Sequence, residues 1–448
     1  MGNEALFRDK KVWRAIFSLA IPAVITVLIM VIYHMADLFF IGLMGDDTQV
    51  AAISIVSPVF SLASAIGSML GAGGCAVIAK LFGARQEDDA RSVGSLCIWG
   101  SLIFGILFAL VLIPAASPVL RLLGATEDMY EYSRIYLQIL ALGAPAMLFS
   151  TTIASVVRAE GAVIPGMVAN VAGTVTNLIL DPLFILVMGM GVAGAALATV
   201  LGNLVASILL VITIQTKTRI LTFSLKPALR NPKLLLHTMA VRLPNGLSTI
   251  LSGLTSTFSN QLLSLYGSGA IAAMGAAGRS SMLISMIQMG ICMGVSPLIA
   301  YNYGSQNVSR LKEILMKTAI LTTIFGFAAT DICLIFREPL VGLFLKDAAN
   351  IATAQNFLTW QLIASPLLGF YYLSSNYFQA AGSALRATLI SISRQGALLL
   401  PCLYLLHSIM GLAGIGPAYL VSDLLAVVLA IIMILYHWNR MMHPKSAA

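Results

Sequence analysis

The chain is 448 residues long, 59% hydrophobic and only 10% charged, against about 25% charged in a soluble domain, so it is an integral membrane protein. Its net charge of +8 would point to nucleic acid in a soluble protein. Here the basic residues sit in loops, where they set orientation in a bilayer, and no nucleic acid partner is expected. Apolar stretches recur along the whole length, each long enough to cross roughly 30 Å of hydrocarbon as a helix.

The basic amino terminus, MGNEALFRDKK, precedes an apolar run that continues past Gly42 without a small-residue cleavage site. It therefore reads as a retained first span, not a signal peptide. Breaks marked by Gly, Pro and charge clusters predict twelve spans: 14–43, 50–79, 91–114, 131–157, 164–187, 191–216, 235–265, 269–302, 311–336, 352–380, 386–410 and 413–438. With both termini on one side, that side holds Arg8, Lys10, Lys11, Arg14, Lys80, Arg85, Arg91, Arg158, the group from Lys217 to Arg242, Arg310, Lys312, Lys317, Arg386, Arg394, Arg440 and Lys445. The other side has only Arg121, Arg134, Arg337 and Lys346. The positive-inside rule then places both termini in the cytoplasm, and the expected location is a bacterial inner membrane.

The basic connection at 216–243, punctuated by Pro227 and Pro232, divides the chain into an amino-terminal lobe, 1–215, and a carboxy-terminal lobe, 244–448. An internal repeat supports the seam. At a displacement of about 221 residues, Pro22 falls near Pro244, Val77-Ile-Ala-Lys-Leu-Phe-Gly83 on Leu298-Ile-Ala-Tyr-Asn-Tyr-Gly304, Ala159-Glu-Gly161 on Ala380-Ala-Gly382, and Gly191-Val-Ala-Gly194 on Gly411-Leu-Ala-Gly414. Six spans per half give both halves the same orientation. The predicted fold is all-α, with two pseudo-symmetric six-helix bundles as parallel repeats facing each other across a central cleft.

No motif suggests enzyme chemistry. Gly189, Gly191 and Gly194 satisfy G-x-G-x-x-G, but no strand precedes them and no acid follows about 20 residues later, so small residues for close helix packing are the better reading. There is no G-x-x-x-x-G-K-[ST] for ATP and no catalytic Ser/His/Asp or Cys/His set. The five cysteines, Cys75, Cys97, Cys292, Cys333 and Cys402, are scattered through apolar segments as core residues. No cofactor is expected beyond a coupling ion.

Four acids lie more than three residues inside the predicted spans: Asp37, Asp181, Asp331 and Asp423. Asp331 is about one turn from an outer end, where a solvated carboxylate is expected. Asp423 is deeper and is open to either a hydrogen-bonding or a functional role. Asp37 and Asp181 each lie roughly 9 to 14 Å below the outer end of an outward-running span, at 1.5 Å per residue. A carboxylate near mid-membrane costs about 2.5–3.5 kcal/mol and marks an ion or proton pathway. Tyr33 and His34 accompany Asp37 at i−4 and i−3; Asn177 stands at i−4 from Asp181. Pro182 frees the Leu178 carbonyl as a further ligand. Burial and like charge each favour the proton-bound carboxyl, so this group can hold a proton or a small cation, or form a structural hydrogen-bonded pair.

These residues carry a resemblance. Pro22 with Met35-Ala-Asp37, Gly83, Arg158-Ala-Glu-Gly161, Asn177-Leu-Ile-Leu-Asp181-Pro182 and Gly191-Val-Ala-Gly194-Ala-Ala-Leu-Ala-Thr199, in this order, resemble the multidrug and toxic compound extrusion (MATE) family over essentially the full length. Its prokaryotic drug-efflux branch is the most similar. The resemblance implies twelve helices in two lobes, a V-shaped cleft, and export of organic cations by proton or sodium antiport. It further implies coupling at Tyr33, Asp37, Asn177, Asp181 and Thr199, with Pro22 at a bend of the first helix and sodium, if used, at Asp37, Asn177 and Asp181. Two features depart from the family. Spans seven and ten have no acid, and His34 beside Asp37 is not a family feature.

In span eight, Met282, Met286, Met289 and Met293 recur at i, i+4, i+7 and i+11. Flexible thioethers suit a wall accepting varied apolar ligands, and helix packing or lipid contact also explains such a stripe. Arg279, in the same span, needs a cavity or a later span start. The expected protein is a monomeric antiporter in the bilayer, expelling small amphipathic organic compounds. A lipid-linked saccharide flippase of the same superfamily is the alternative, but such proteins have a strongly basic central cavity, whereas the interior charges here are chiefly acidic.

Overall fold

A computed structural model describes residues 7–8, 11–42, 47–123, 125–231, 233–345 and 347–442; at 31–42, 47, 50, 51, 237, 242–247, 249, 250 and 440–442 it describes the backbone alone. The described residues form helices and no strand. Twelve long segments follow one another: Val12–Gly42, Asp47–Gly83, Glu87–Leu112, Glu127–Val156, Val163–Pro182, Gly191–Lys217, Lys233–Ser264, Ser268–Gly304, Val308–Ile335, Ala348–Ala380, Ala384–Met410 with its π-turn, and Ile415–Met442. Backbone polar groups cannot be left bare in hydrocarbon, so apolar runs of this length become helices. Nine described stretches have the length and hydropathy to cross a membrane. One of them, Ala384–Asn439, contains two of the segments above. Helices Lys233–Ser264 and Ala348–Ala380 are of spanning length but richer in polar side chains.

The chain divides into two compact units. The first comprises Met1–Lys11, Ile21–Arg242 and Ala300–Gln306. Its core joins Val56, Leu112, Leu120, Leu137, Leu140 and Ile185. After helix Gly191–Lys217 the chain runs over 218–224 to a short helix, Leu225–Arg230. Glu160 anchors that run, since its buried carboxylate accepts the backbone N–H groups of Arg219, Ile220 and Leu221 at 2.7, 3.2 and 3.1 Å. The Trp99 indole donates to the Phe223 carbonyl at 3.1 Å.

The second unit comprises Val12–Ala20, Leu243–Ile299 and Asn307–Ala448. Its core gathers Leu263, Ile284, Phe357, Leu358, Leu362, Leu403 and Ile415. Asn307 caps helix Val308–Ile335 by accepting from the Arg310 N–H, and Asp347 caps helix Ala348–Ala380 by accepting from that of Asn350, each satisfying an orphan donor of a helix start.

The repeat is written into the backbone. Positive φ recurs in pairs about 221 residues apart: Arg85 (60°) with Gln306 (54°), Gly161 (78°) with Gly382 (78°), and Gly191 (54°) with Gly411 (59°). Short helices Ala116–Leu122 and Arg337–Gly342, absent from the sequence-based expectation, occupy equivalent places. Close crossings repeat too. A Cβ on Gly105 would stand 2.5 Å from the Pro145 Cα, and one on Gly326 would stand 2.6 Å from the Pro366 Cα. Each bundle thus packs the same pair of helices at a glycine-on-proline contact that no larger residue fits.

Candidate ion-coupling site

Helix Val163–Pro182 buries one narrow stripe: Val163, Gly166, Ala169, Gly173, Asn177 and Asp181. Spacings of three and four keep these positions on one face. The first part of the stripe is small, which lets helix Gly191–Lys217 approach closely. A Cβ on Gly173 would be 2.7 Å from the Gly202 carbonyl oxygen, and one on Gly202 would be 2.6 Å from that of Gly173 and 3.2 Å from the Asn177 Cβ. This crossing sets Asn177 against Thr199, one turn before Gly202.

The polar end of the stripe forms a network. Asn177 Nδ2 donates to Asp181 Oδ2 at 2.9 Å, and Asn177 Oδ1 accepts from the Thr199 N–H at 3.0 Å and hydroxyl at 3.3 Å. The reverse amide orientation would set nitrogen against the Thr199 N–H and oxygen against the carboxylate, so the network selects this one. Asp181 is fully buried, with Asn177 and Thr199 nearly so. The network continues: Asn203 Nδ2 donates to the Thr199 carbonyl at 2.9 Å, and the Ser150 hydroxyl donates to Asn203 Oδ1 at 2.9 Å. Three helices are therefore tied by one hydrogen-bonded chain from Ser150 to Asp181. Sequence reasoning assigned no role here to Ser150 or Asn203, although Asn203 sits at i+4 from Thr199 and could have been found by that spacing.

Pro182 ends this helix and has no N–H to return to the Leu178 carbonyl. The chain widens at once into a π-turn, Leu183–Val187, closed by the Met188 N–H on the Leu183 carbonyl at 2.9 Å. Such turns are frequent at functional sites. The first helix passes Pro22 without interruption from Val12 to Gly42, and the Thr26 hydroxyl donates to the Pro22 carbonyl at 2.8 Å. Tyr33, His34 and Asp37 belong to this helix, and their side chains lie outside the described residues.

Elsewhere, Met282 is exposed and Met286, Met289 and Met293 are partly so, while Ile284, Gln288, Ile291 and Cys292 on the other side of their helix are buried. The methionine stripe is thus an open face of the second unit. Arg279 is exposed, with its guanidinium 5.7 Å from the Phe344 ring centroid. Asp331 is exposed. Asp423 is buried and ion-paired with Arg394, which sequence position alone had grouped with the cytoplasmic charges. An apolar cavity of about 510 Å³ in the first unit lies among Leu102, Leu142, Pro145, Phe149, Leu204 and Ile208, apart from Asp181.

Two six-helix repeats carrying a buried carboxylate network define a multi-pass membrane carrier of the two-bundle helical class. The MatE family model matches residues 22–183 and again 244–405, once in each half, and the chain belongs to this family. It is 32% identical to the multidrug export protein MepA of Staphylococcus saprophyticus, over 100% of this chain and 99% of that protein. With MepA of Staphylococcus aureus the identity is 29%, over 97% and 96%. The outward-facing conformation of a multidrug resistance MATE family transporter of the MOP superfamily superposes with a TM-score of 0.91 at 24% identity, covering 99% of both chains. A MOP superfamily transporter from Pyrococcus furiosus gives 0.90 at 24% identity, again covering 99% of both chains.

Proposed function

We propose that the protein is a secondary antiporter of the bacterial inner membrane that exports amphipathic, cationic organic compounds in exchange for protons or sodium ions. The buried network of Asp181, Asn177 and Thr199 carries this reading. A carboxylate enclosed within a helix bundle is costly as a bare anion, so its environment favours whichever ion it can take up. A proton needs only the carboxylate, whereas sodium would be held if the Asn177 amide turned its oxygen from Thr199 toward Asp181, beside the Thr199 hydroxyl oxygen. Asp37, with Tyr33 and His34, is assigned to the same ion step, and Pro22 and Pro182 to the bends that accompany it.

Loading the ion shifts the balance between outward-open and inward-open states only if the two states bind it with different affinity. The π-turn after Pro182 gives the Asp181 helix a local place to change register. The open methionine face of the second unit, Met282 to Met293, serves as an adaptable wall for apolar cargo. Both termini are cytoplasmic, the working unit is a monomer, and no cofactor or enzymatic step is involved. The flippase alternative needs a basic cavity for phosphate, whereas the carboxylate Asp181 ends this buried stripe; the curated relatives are named as multidrug exporters.

Proteoliposomes with a proton gradient, a sodium gradient or neither, imposed in turn, test the reading through efflux of a fluorescent organic cation. One gradient should drive uphill efflux. Equal fluxes under all three conditions would contradict antiport.

A further inference from the structure

The second unit places a charged cluster where the first has its hydrogen-bonded chain. At the repeat displacement of about 220 residues, Asp423 stands at the position of Asn203 and Tyr371 at that of Ser150. Arg394 enters from a π-turn, Ser393–Ala397, whose Gln395 carbonyl accepts the Thr255 hydroxyl at 2.6 Å. Its Nε donates to Asp423 Oδ1 at 2.7 Å and its Nη2 to Oδ2 at 3.4 Å. Nη1 donates to the Tyr372 hydroxyl at 3.2 Å. The guanidinium carbon stands 5.3 Å from the centroid of the Tyr371 ring and 5.7 Å from that of Tyr372.

Viewed from the guanidinium, this is a binding site. It has a carboxylate that takes two parallel N–H groups, a phenol oxygen that takes a third, and two aromatic rings within cation–π range. Guanidinium is itself a planar, delocalised and weakly hydrated organic cation. Helix packing alone does not require such a group, since well-packed apolar residues hold a bundle as well as a buried ion pair or better. The side chains of Arg394 and Asp423 keep 17% and 12% of their exposure, so the pair is largely enclosed, and the carboxylate becomes accessible only when Arg394 withdraws.

We propose that Asp423, Tyr371 and Tyr372 form a subsite for planar, delocalised organic monocations, and that Arg394 is its resident occupant, displaced when cargo binds. This rests on the reading of the protein as an exporter of organic cations. Arg394 then acts as a built-in competitor that keeps the carboxylate paired while the site is empty of cargo. The π-turn that carries it is the segment that yields on exchange.

Equilibrium binding of ethidium to the full chain in nanodiscs, at fixed pH and with no ion gradient, tests the proposal. Arg394→Gln should bind about tenfold more tightly than the wild type, because the competitor is gone. Arg394→Lys, which keeps the charge but loses the planar fork, should fall between the two and serves if the Gln variant does not fold. Asp423→Asn should bind at least tenfold more weakly, and so should the Asp423→Asn/Arg394→Gln double variant. A double variant restored to wild-type affinity would make the pair a structural clamp and overturn the proposal. Identical binding in every variant would also overturn it while leaving the export reading intact. Absence of ethidium binding in every form would remove the export reading and the proposal together.

Discussion

Asn177 and Asp181 stand one helical turn apart on the same buried stripe, and the amide of the first donates to the carboxylate of the second at 2.9 Å. The Asn177 oxygen is taken by Thr199, so the amide cannot turn away without breaking two further contacts. Asp181 is thereby held in one geometry by a neighbouring helix it does not belong to. A hydrogen bond to a charged group contributes about 1.5–3 kcal/mol, so Asn177→Ala should slow gradient-driven efflux roughly 10- to 100-fold. Initial rates in proteoliposomes at matched protein density check this.

The crossing at Gly173 and Gly202 is what brings that neighbouring helix close. Gly202→Ala would drive a methyl into the Gly173 carbonyl, and overpacking of this kind costs about 1–3 kcal/mol. Gly253 has nothing within 4 Å of an added Cβ, and Gly→Ala inside a helix gains about 0.5–1 kcal/mol. Thermal unfolding in detergent should therefore show Gly202→Ala melting lower than the wild type and Gly253→Ala melting at or above it.

Glu160 predicts a local effect. Removing its carboxylate with Glu160→Ala leaves three backbone donors without their acceptor, at about 1–3 kcal/mol for each one that stays buried. The run at 218–224 should loosen, and limited trypsin digestion should cut after Arg219 much faster than in the wild type. Glu160→Gln keeps an acceptor oxygen and should lie between the two.

The repeat makes a paired prediction. Gly105→Ala and Gly326→Ala each press a methyl onto a proline of the facing helix, at near-identical distances. Their losses in melting temperature should be similar, each corresponding to about 1–3 kcal/mol. A large loss in one and none in the other would show that the two bundles do not share this crossing.

Much of the fold was legible because lipid leaves few choices: apolar runs of spanning length become helices, and a four-segment repeat fixed their grouping into sixes. The short helices Ala116–Leu122 and Arg337–Gly342 were not legible, since 7 and 6 residues are too few to show a periodicity. Both π-turns were invisible for the same reason, although Pro182 marked where one begins. The pairing of Asn177 with Asp181 could be read from i, i+4 spacing within one helix. Ser150 could not, because a lone hydroxyl in an apolar helix is ordinary and its partner Asn203 is 53 residues away. The partner of Arg394 was not legible, because a positive-inside count takes every basic residue near a span end as a loop charge. Its pairing with Asp423 depends on two helices meeting, which no local pattern encodes.

Asp181 is proposed to carry the coupling ion, and its substitution by Asn removes that capacity. Asp181→Asn keeps the shape and a hydrogen-bonding group beside Asn177 but cannot take up a proton or neutralise a cation. In proteoliposomes with the driving gradient imposed, uphill efflux of a fluorescent organic cation should fall to the level of empty vesicles. The variant should still insert and elute as a monodisperse peak. Uphill efflux at the wild-type rate from Asp181→Asn would rule out Asp181 as the coupling carboxylate.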